Sequence, residues 1–427
     1  MNKEAKDKEN FIFEGCDTVK LAEKYGTPLY VVSEDFIVDK CREIREDFLN
    51  KYPNARAVFA SKAFQTLEIC RIINREGLGV DAVSGGEIFT ALKAGMPAEK
   101  IIFHGNNKTL EEIAMAIDNN VGRLVVDNLY ELEAIDKYAK ENGKIVKIQF
   151  RVTPGVDSHT HKFISTGHLD SKFGIPLDKR VRNTYIERAI SMSNVELMGF
   201  HFHVGSQLLE NTSHLAAVQI LINMIKEVKD ELGFETRELN LGGGFGIKYV
   251  DGDVRQSLMY FTNAMMDLIH EKCEEYNLII PNVCIEPGRW IVGEAGITLY
   301  TVGSIKTIPD IKTYVGVDGG MPDNPRPALY EAKYDAIVAN KVHKTKDCVV
   351  TIAGKCCETG DILIHDLKVP YIESGDILAV LSTGAYNYSM ASNYNRIPRP
   401  AVVMLKGGVD RLIVKRETYE DLIAREI

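Results

Sequence analysis

The distribution of apolar and polar residues changes period repeatedly between residues 34 and 285. Short apolar runs typical of buried strands alternate with longer segments whose apolar residues recur every three or four positions, as on one helix face. Eight runs are separated by seven amphipathic segments, and another such segment precedes the first run. This alternation predicts an α/β fold, a (β/α)8 TIM-type barrel. The predicted barrel strands lie near residues 57–63, 78–83, 101–104, 124–126, 146–150, 197–202, 238–241 and 282–285.

The pattern after residue 285 is different. Short β-rich runs follow one another, separated by turn signals such as the Asp-Gly-Gly sequence at 318–320. They predict a mostly antiparallel β-sandwich or β-barrel domain. The isolated strand at 29–32 has no partner nearby in sequence and is predicted to contribute to the same domain. The predicted domains are a barrel at 34–285 and a C-terminal β domain at 286–427 that residues 1–33 join.

Composition narrows the classes of partner. The 427 residues carry a net charge of −9, which argues against nucleic acid or an anionic membrane as a partner. The eight cysteines form no CxxC pair, so neither a disulfide framework nor a zinc ribbon is predicted. The charged amino terminus lacks the apolar centre of a secretion signal, and no apolar run is long enough to span a bilayer. We therefore expect a cytoplasmic protein that acts on a small molecule.

The first candidate for chemistry is a lysine at the end of the first barrel strand. Period-two alternation places Val58, Ala60 and Lys62 on one side of that strand. A lysine at the end of a buried strand has a lowered pKa and can act as an amine nucleophile toward an aldehyde. The alternative is that the strand has already ended and the ammonium group reaches solvent.

Glycine-rich loops follow the seventh and eighth predicted strands. These are the Gly-Gly-Gly-Phe-Gly sequence at 242–246 and the Glu-Pro-Gly-Arg sequence at 286–289. Barrels of this type frequently hold a phosphate at these two loops, where glycines let backbone N–H groups approach an anion. A dinucleotide fingerprint fails because Ile247 takes the third glycine position, and no P-loop spacing is present. A tight turn that merely requires glycine is the alternative.

Two histidines, His201 and His203, share a face at the end of the sixth strand. They could bind zinc, but a third ligand at a suitable spacing is missing, so no metal is predicted. A flat imidazole could instead stack on a flat cofactor, and His201 alone could be a hydrogen-bonded core histidine. An amine, a phosphate-binding loop, an imidazole and the carboxylate of Glu286 together match the needs of pyridoxal 5′-phosphate.

Eight motifs extend this interpretation over nearly the whole chain. They are FASKA at 59–63, DAVSGGE at 81–87, HVGSQ at 203–207, GGGF at 242–245, EPGR at 286–289, RPALY at 326–330, CETGD at 357–361 and GAY at 384–386. In this order they resemble the motifs of the diaminopimelate decarboxylases, which are barrel-type (fold type III) pyridoxal-phosphate-dependent decarboxylases.

The resemblance implies roles for individual residues. Lys62 would bind the cofactor aldehyde covalently, His203 would stack on the ring, and Glu286 would pair with the pyridine nitrogen. Cys357 would return a proton to the carbon that loses CO2, which a positioned thiol can do. The remaining cofactor contacts would be Ser206, Gly243, Gly244, Pro287, Gly288, Arg289 and Tyr386.

The resemblance also implies how the substrate is recognised. Arg289 and Arg326 would bind its distal carboxylate, Glu358 would bind its distal amino group, and Tyr330 and Tyr386 would complete the pocket. In this family the cysteine loop reaches the lysine from a second subunit, so a homodimer is expected. The implied reaction converts meso-2,6-diaminopimelate to L-lysine and CO2, the last step of lysine biosynthesis.

Two departures and three alternatives remain at this point. Phe64 stands where many family members have asparagine, and Cys356 is a second candidate proton donor, although the spacing to Glu358 favours Cys357. A sister decarboxylase acting on ornithine, arginine, lysine or carboxynorspermidine would not need Arg326. A non-catalytic cofactor-binding regulator would be expected to lack the lysine or the cysteine. A racemase would need a tyrosine base, which nothing in the sequence marks.

Overall fold

The computed structural model describes residues 10–156 and 171–427. The charged amino terminus at 1–9 and residues 157–170 of the loop after the fifth barrel strand lie outside them. The chain divides into two compact units. We call the first the barrel unit and the second the β unit. The barrel unit comprises Lys40–Ile247 and Arg255–Trp290, and the β unit comprises Met1–Asp39, Lys248–Val254 and Ile291–Ile427.

The barrel unit contains a closed sheet of eight parallel strands within the described ranges, which confirms the predicted barrel. Its closure is made by pairing of the fifth strand with the sixth, from Val195↔Val146 to His201↔Arg151. The strands are Ala55–Ala60, Gly79–Ala82, Ile101–Phe103, Arg123–Val126, Val146–Thr153, Val195–His201, Glu238–Asn240 and Asn282–Ile285, with a short addition at Ile175–Pro176.

Seven α-helices separate these eight strands in the part of the chain that the structure describes, as the periodicity predicts. They are Leu67–Arg75, Gly85–Lys93, Leu110–Asp118, Leu129–Glu141, Lys179–Ser191, Thr212–Leu232 and Leu258–Glu275. The helix Glu34–Ile44, continued by a π-helical turn at Arg45–Leu49, precedes the first strand. No helix of the two described ranges is both long and apolar enough to cross a membrane.

Local capping explains where two of these helices begin. The Thr109 hydroxyl accepts the N–H of Glu112, whose carboxylate accepts the N–H of Thr109, so the two residues form a complete capping box. Ser84 likewise accepts the N–H of Glu87. The Glu87 carboxylate, however, accepts the N–H of Val83 at 2.6 Å instead of closing the box. Both serine and threonine therefore act structurally at these positions.

The β unit is a mostly antiparallel assembly, as predicted. Strand Leu29–Ser33 lies between Gly296–Ile308, with which it pairs antiparallel, and Ala401–Lys406, with which it pairs parallel. The side chains of Leu29 and Val31 lie in a buried apolar cluster with residues of both neighbours. Burial of that apolar surface stabilises the pairing of the amino-terminal strand with strands that are distant in sequence.

The other elements of the β unit are short. Its remaining strands are Ile12–Phe13, Cys16–Asp17, Lys312–Val317, Ala336–Val338, Cys348–Ala353, Ile362–Val369, Ile377–Val380 and Val409–Val414. Its α-helices are Thr18–Tyr25, Arg326–Tyr330 and Tyr419–Ile423, and the helix Arg289–Val292 begins in the barrel unit.

Candidate active site

The carboxyl ends of the barrel strands bring five polar side chains together. Asp81 lies on the second strand, His104 directly follows the third, His201 and Asn240 end the sixth and seventh, and Glu286 directly follows the eighth. All five are buried. Because carboxyl ends of parallel strands meet at one mouth of a barrel, residues far apart in sequence form one cluster there.

Glu286 is the centre of this cluster. Asn240 donates from Nδ2 to Oε1 over 2.7 Å, and His201 Nε2 lies 3.3 Å from Oε2. His104 Nε2 lies 2.8 Å from Oε1. Burial alone would raise the pKa of Glu286, but His104 and then His201 hold it well below its ordinary value. The side chain is therefore a fixed, buried carboxylate.

The two histidines beside Glu286 differ in charge. Burial lowers the pKa of His201 to about 3, so its ring is neutral. His104 lies between two carboxylates, with Nε2 3.7 Å from Asp81 Oδ1 in addition to its contact with Glu286. Burial works against its charged form, but Asp81 and Glu286 raise the pKa of His104 above its ordinary value. His104 therefore carries the positive charge of the pair.

His104, His201 and Glu286 also have the composition of a metal-binding group, with ligand atoms within 4.8 Å of one another. His203, which shares a sequence motif with His201, is not a member of this group. Both oxygens of Glu286 already contact Asn240 or an imidazole. We therefore assign the cluster to charge balance around a carboxylate and not to an ion.

His203 presents a neutral ring at the same mouth. The N–H of Gly243 lies 3.3 Å from its Nδ1 and donates to it. Burial, assisted by the positive charges of Lys62 and Arg151, lowers the pKa of His203 well below its ordinary value. A neutral ring with a fixed orientation suits the predicted stacking on a flat aromatic group.

Two positions of the glycine loop accept no residue other than glycine. A Cβ on Gly243 would lie 2.2 Å from the carbonyl oxygen of Glu286. Gly244 has a φ of +100°, and its Cβ would lie 2.4 Å from the carbonyl oxygen of Gly205. Close backbone approach of this kind leaves a cradle of main-chain groups, which is the usual way a loop receives a phosphate.

The loop after the eighth strand supplies a cation to this region. Arg289 is buried, and its Nη2 donates to the Ser206 hydroxyl over 2.7 Å. Pro287 and Gly288 are buried beside it, and a Cβ on Gly288 would lie 2.9 Å from that of Ala60. A guanidinium and a hydroxyl held together are suited to bind the oxygens of an anion.

Lys62 is exposed, and the predicted extension of its strand is wrong. The strand ends at Ala60, and Lys62 lies in the 3₁₀ turn Ser61–Ala63. Buried Ser61 fixes this turn by donating to the carbonyl of Asp81 over 2.6 Å. The structure thus agrees with the alternative in which the ammonium reaches solvent, on a turn anchored by buried neighbours.

Apart from Arg289, the residues predicted to bind substrate belong to the β unit. Arg326 is buried and donates to the Tyr334 hydroxyl over 2.5 Å, and its guanidinium lies 4.9 Å from the ring centre of Tyr249. Tyr330 ends the same short helix and is half-buried. Tyr386 is half-buried and has a φ of +62°, a backbone conformation that tyrosine rarely adopts.

The two adjacent cysteines have different environments. The N–H of Cys357 donates to Asn395 Oδ1 over 2.8 Å, and its side chain is exposed, as is that of Glu358. Cys356 is half-buried, and its N–H donates to Asp361 Oδ2 over 2.9 Å. Burial and the charge of Asp361 raise the pKa of the Cys356 thiol to about 12.

Several residues of these clusters were not predicted from the sequence. His104 follows and Asn240 ends a barrel strand, and that position is the signal that could have identified them; Asp81 opens the DAVSGGE motif. Tyr249 and Tyr334, which contact Arg326, carry no such signal. Their proximity is set by tertiary structure alone.

Comparison with known proteins identifies the family. Residues 36–293 match the family model described as pyridoxal-dependent decarboxylase, pyridoxal binding domain. The diaminopimelate decarboxylase of Bacillus subtilis is 46% identical over 413 residues, 97% of this chain and 94% of that one. The enzyme of M. jannaschii, solved in co-complex with L-lysine, is 38% identical with a TM-score of 0.92, covering 98% and 96% of the two chains. That of Helicobacter pylori, also complexed with L-lysine, is 32% identical with a TM-score of 0.87, covering 96% and 99%. The chain belongs to the diaminopimelate decarboxylase family of pyridoxal-dependent decarboxylases.

Proposed function

We propose that this protein decarboxylates meso-2,6-diaminopimelate to L-lysine and CO2, with pyridoxal 5′-phosphate as cofactor. The observation that carries the proposal is the buried, ionised carboxylate of Glu286 at the carboxyl mouth of a barrel from this family. A fixed negative charge at that place is suited to hold the proton of a pyridine nitrogen. The relatives from M. jannaschii and Helicobacter pylori bind L-lysine, the product of the proposed reaction.

The residues at the carboxyl mouth fit this cofactor. The glycine loop leaves a cradle that a Cβ at Gly243 or Gly244 would fill, and Arg289 with Ser206 adds a cation and a donor for phosphate oxygens. Neutral His203 offers a ring face. These residues of the barrel unit suit the phosphate and the ring face of the cofactor, and Glu286 suits its ring nitrogen.

We assign each residue one task. When bound, the cofactor supplies a ring that accepts the electron pair left behind as CO2 departs. Lys62, exposed on its turn, would hold the aldehyde carbon, Glu286 would hold the proton on the ring nitrogen, and His203 would fix the ring plane. Cys357 would deliver a proton to the carbon that lost its carboxylate, and exposure of its thiol suits this better than the half-buried environment of Cys356, whose thiol pKa is raised.

Recognition of the substrate is assigned to the β unit together with Arg289. Buried Arg326, oriented by Tyr334 and Tyr249, presents a planar guanidinium that can bind a carboxylate in a bidentate manner. Glu358 would bind the distal ammonium group. Tyr330 and Tyr386 would border the substrate. A substrate with both a carboxylate and an ammonium at its far end requires both charged residues.

We further propose a homodimer in the cytoplasm, in which the loop carrying Cys357 and Glu358 serves the lysine of the other subunit. The Cys357 thiol is exposed in the described subunit, so it is accessible to a site on a second subunit, which supports this arrangement. The eight cysteines are all free thiols, in keeping with a reducing compartment. Mixing Lys62→Ala protein with Cys357→Ala protein would restore up to about a quarter of the activity if subunits exchange and the site is shared.

One assay tests the main proposal. Purified protein with pyridoxal 5′-phosphate is supplied with meso-diaminopimelate, and CO2 and L-lysine are quantified. Parallel reactions contain ornithine, arginine and lysine, and the Lys62→Ala variant serves as the control. Lysine formation that requires Lys62 supports the proposal. The proposal would be overturned if one of the parallel substrates released a diamine, or if meso-diaminopimelate released no CO2.

A further inference from the structure

His104 has no task in the assignments above, although it touches the residue on which they depend most. It is buried, and its Nε2 lies 2.8 Å from Glu286 Oε1 and 3.7 Å from Asp81 Oδ1. Its main-chain N–H donates to the carbonyl of Ala82 over 2.7 Å, which fixes the backbone beside the second strand. The ring is thus held between two carboxylates that belong to different strands.

Two buried carboxylates at this distance from one imidazole need a positive charge between them. An unpaired buried carboxylate takes up a proton instead of remaining ionised. Burial raises the pKa of Asp81 to about 7, whereas that of Glu286 is held well below its ordinary value. The other charged groups that act on this cluster include Lys62, Glu87, Asp127 and Arg151. His104 lies close to both carboxylates.

His201 provides an internal comparison. Its Nε2 also contacts Glu286, at 3.3 Å from Oε2, and its ring centre lies 4.6 Å from that of His104. No carboxylate other than Glu286 contacts it within the described ranges, and its ring is neutral. The same carboxylate therefore has one charged and one neutral imidazole neighbour. Replacing the charged one should change the protonation of Glu286, and replacing the neutral one should not.

We propose that His104 is a positioning residue whose positive charge, secured by Asp81, keeps Glu286 ionised and oriented at the barrel mouth. The ionisation of Glu286 is a property of the protein alone. What the ionised carboxylate then does for a ring nitrogen rests on the proposed function.

The first test measures protonation of Glu286 directly. Infrared difference spectra between acidic and alkaline pH are recorded for the full-length protein without added cofactor, comparing His104→Gln with His201→Gln. Glutamine keeps a donor N–H but cannot carry charge. We expect His104→Gln to gain the carbonyl band of a neutral carboxylic acid that disappears in the His104→Gln/Glu286→Gln double variant. His201→Gln should gain no such band.

The second test uses pyridoxal 5′-phosphate as the probe. For His104→Gln we expect the dissociation constant to rise about tenfold for each pH unit below the new pKa of Glu286, because one pH unit changes the ionised fraction tenfold. The wild type and His201→Gln should lack this slope. If the wild type fails to bind the probe, the proposed function fails, while the infrared result still decides the role of His104.

Three results would overturn the inference. These are absence of the new band in folded His104→Gln, an equal band in His201→Gln, and a stoichiometric metal ion in the purified wild-type protein. If His104→Gln does not fold, Asp81→Asn replaces it, and the histidine resonances are followed by NMR. Loss of Asp81 should then lower the pH at which His104 titrates, and an unchanged titration would contradict the proposal.

Discussion

The two mouths of the barrel each bury a glutamate, but they neutralise it differently. At the amino ends of the strands Glu238 accepts from Arg123 Nε over 2.7 Å and from Gln149 over 3.0 Å, and a second Arg123 nitrogen contacts its other oxygen. At the carboxyl ends Glu286 is neutralised by His104. An arginine is charged at every pH that a protein tolerates, whereas a histidine titrates near neutrality.

We infer from this difference that the amino end of the barrel has a structural role, whereas the proposed chemistry belongs to the carboxyl end. Burial alone would raise the pKa of Glu238, but the hydrogen bonds and charge of Arg123 lower it. A cavity of about 790 Å³ opens at that end, yet the charged groups at its base are already paired with one another. At the other mouth, the proposed function assigns the exposed amine of Lys62 and the glycine loop to cofactor binding.

The largest expected effect is a difference in decarboxylation rate between substitutions of two lysines, one at each mouth. Lys62→Ala should reduce decarboxylation by about a thousandfold or more, because the amine that binds the aldehyde is lost. Lys147→Ala, which removes an exposed lysine that lines the amino-end cavity, should leave the rate within twofold. Release of CO2 at saturating substrate measures both variants. Similar losses in both would contradict the division between the mouths.

A second prediction concerns the stability of the amino mouth. Replacing Arg123 by methionine leaves Glu238 buried without its bidentate partner and should cost about 3–5 kcal/mol of unfolding free energy. Urea unfolding of the cofactor-free protein measures the change. Arg237→Met, which removes a largely exposed ion pair with Glu196, is the matched control and should cost under about 1 kcal/mol.

A third prediction follows from the titration of His104. Its pKa is raised in the folded protein, so its proton stabilises the fold fully below the unfolded-state pKa of about 6.5. That contribution is lost as the pH rises through the folded-state pKa, at about 1.4 kcal/mol per unit of pKa difference. The stability difference between wild type and the His104→Gln/Glu286→Gln double variant, in which residue 286 cannot take up a proton, should therefore shrink from pH 6 to pH 9. A difference that grows with pH would contradict the assigned charge.

The smallest expected effect is that of a helix cap at the carboxyl mouth. Thr109→Ala removes the capping box of helix Leu110–Asp118 and should cost about 1 kcal/mol of unfolding free energy. Catalytic rate at saturating substrate should not change, since the Thr109 hydroxyl accepts from the N–H of Glu112 in its own helix, and the substitution keeps the bond from the Gly85 N–H to Glu112. A reduced rate at unchanged stability would show that the chemical function of this mouth extends further than the strand ends.

Much of the fold follows from the sequence because the barrel strands are buried on both faces and the helices on one. That contrast predicts the alternation of elements. The pairing of strand 29–33 with distant residues is predictable because no partner strand lies near it in sequence. Periodicity cannot show that residues 248–254, which follow a barrel strand, group with the β unit. Nor does it locate the end of the first strand, where a 3₁₀ turn replaces the expected continuation at Lys62.

The site is predictable in part for a related reason. Lys62, His203 and Glu286 lie in short motifs whose chemistry can be recognised along the chain. His104 and Asp81 acquire their roles only when strands two, three and eight converge, and the charge of one depends on the position of the other. Such mutual dependence leaves no mark in a linear pattern.

The position of strand Leu29–Ser33 has a consequence for synthesis of the chain. Its two neighbours in the sheet begin at Gly296 and Ala401, so the strand leaves the ribosome long before either exists. At usual translation speeds the delay before Ala401 appears is on the order of tens of seconds. A strand that is fully buried in the native protein has both edges open until Gly296–Ile308 is made, and one edge open until Ala401–Lys406 follows. A chaperone that shields residues 29–33 would therefore increase the yield of native protein.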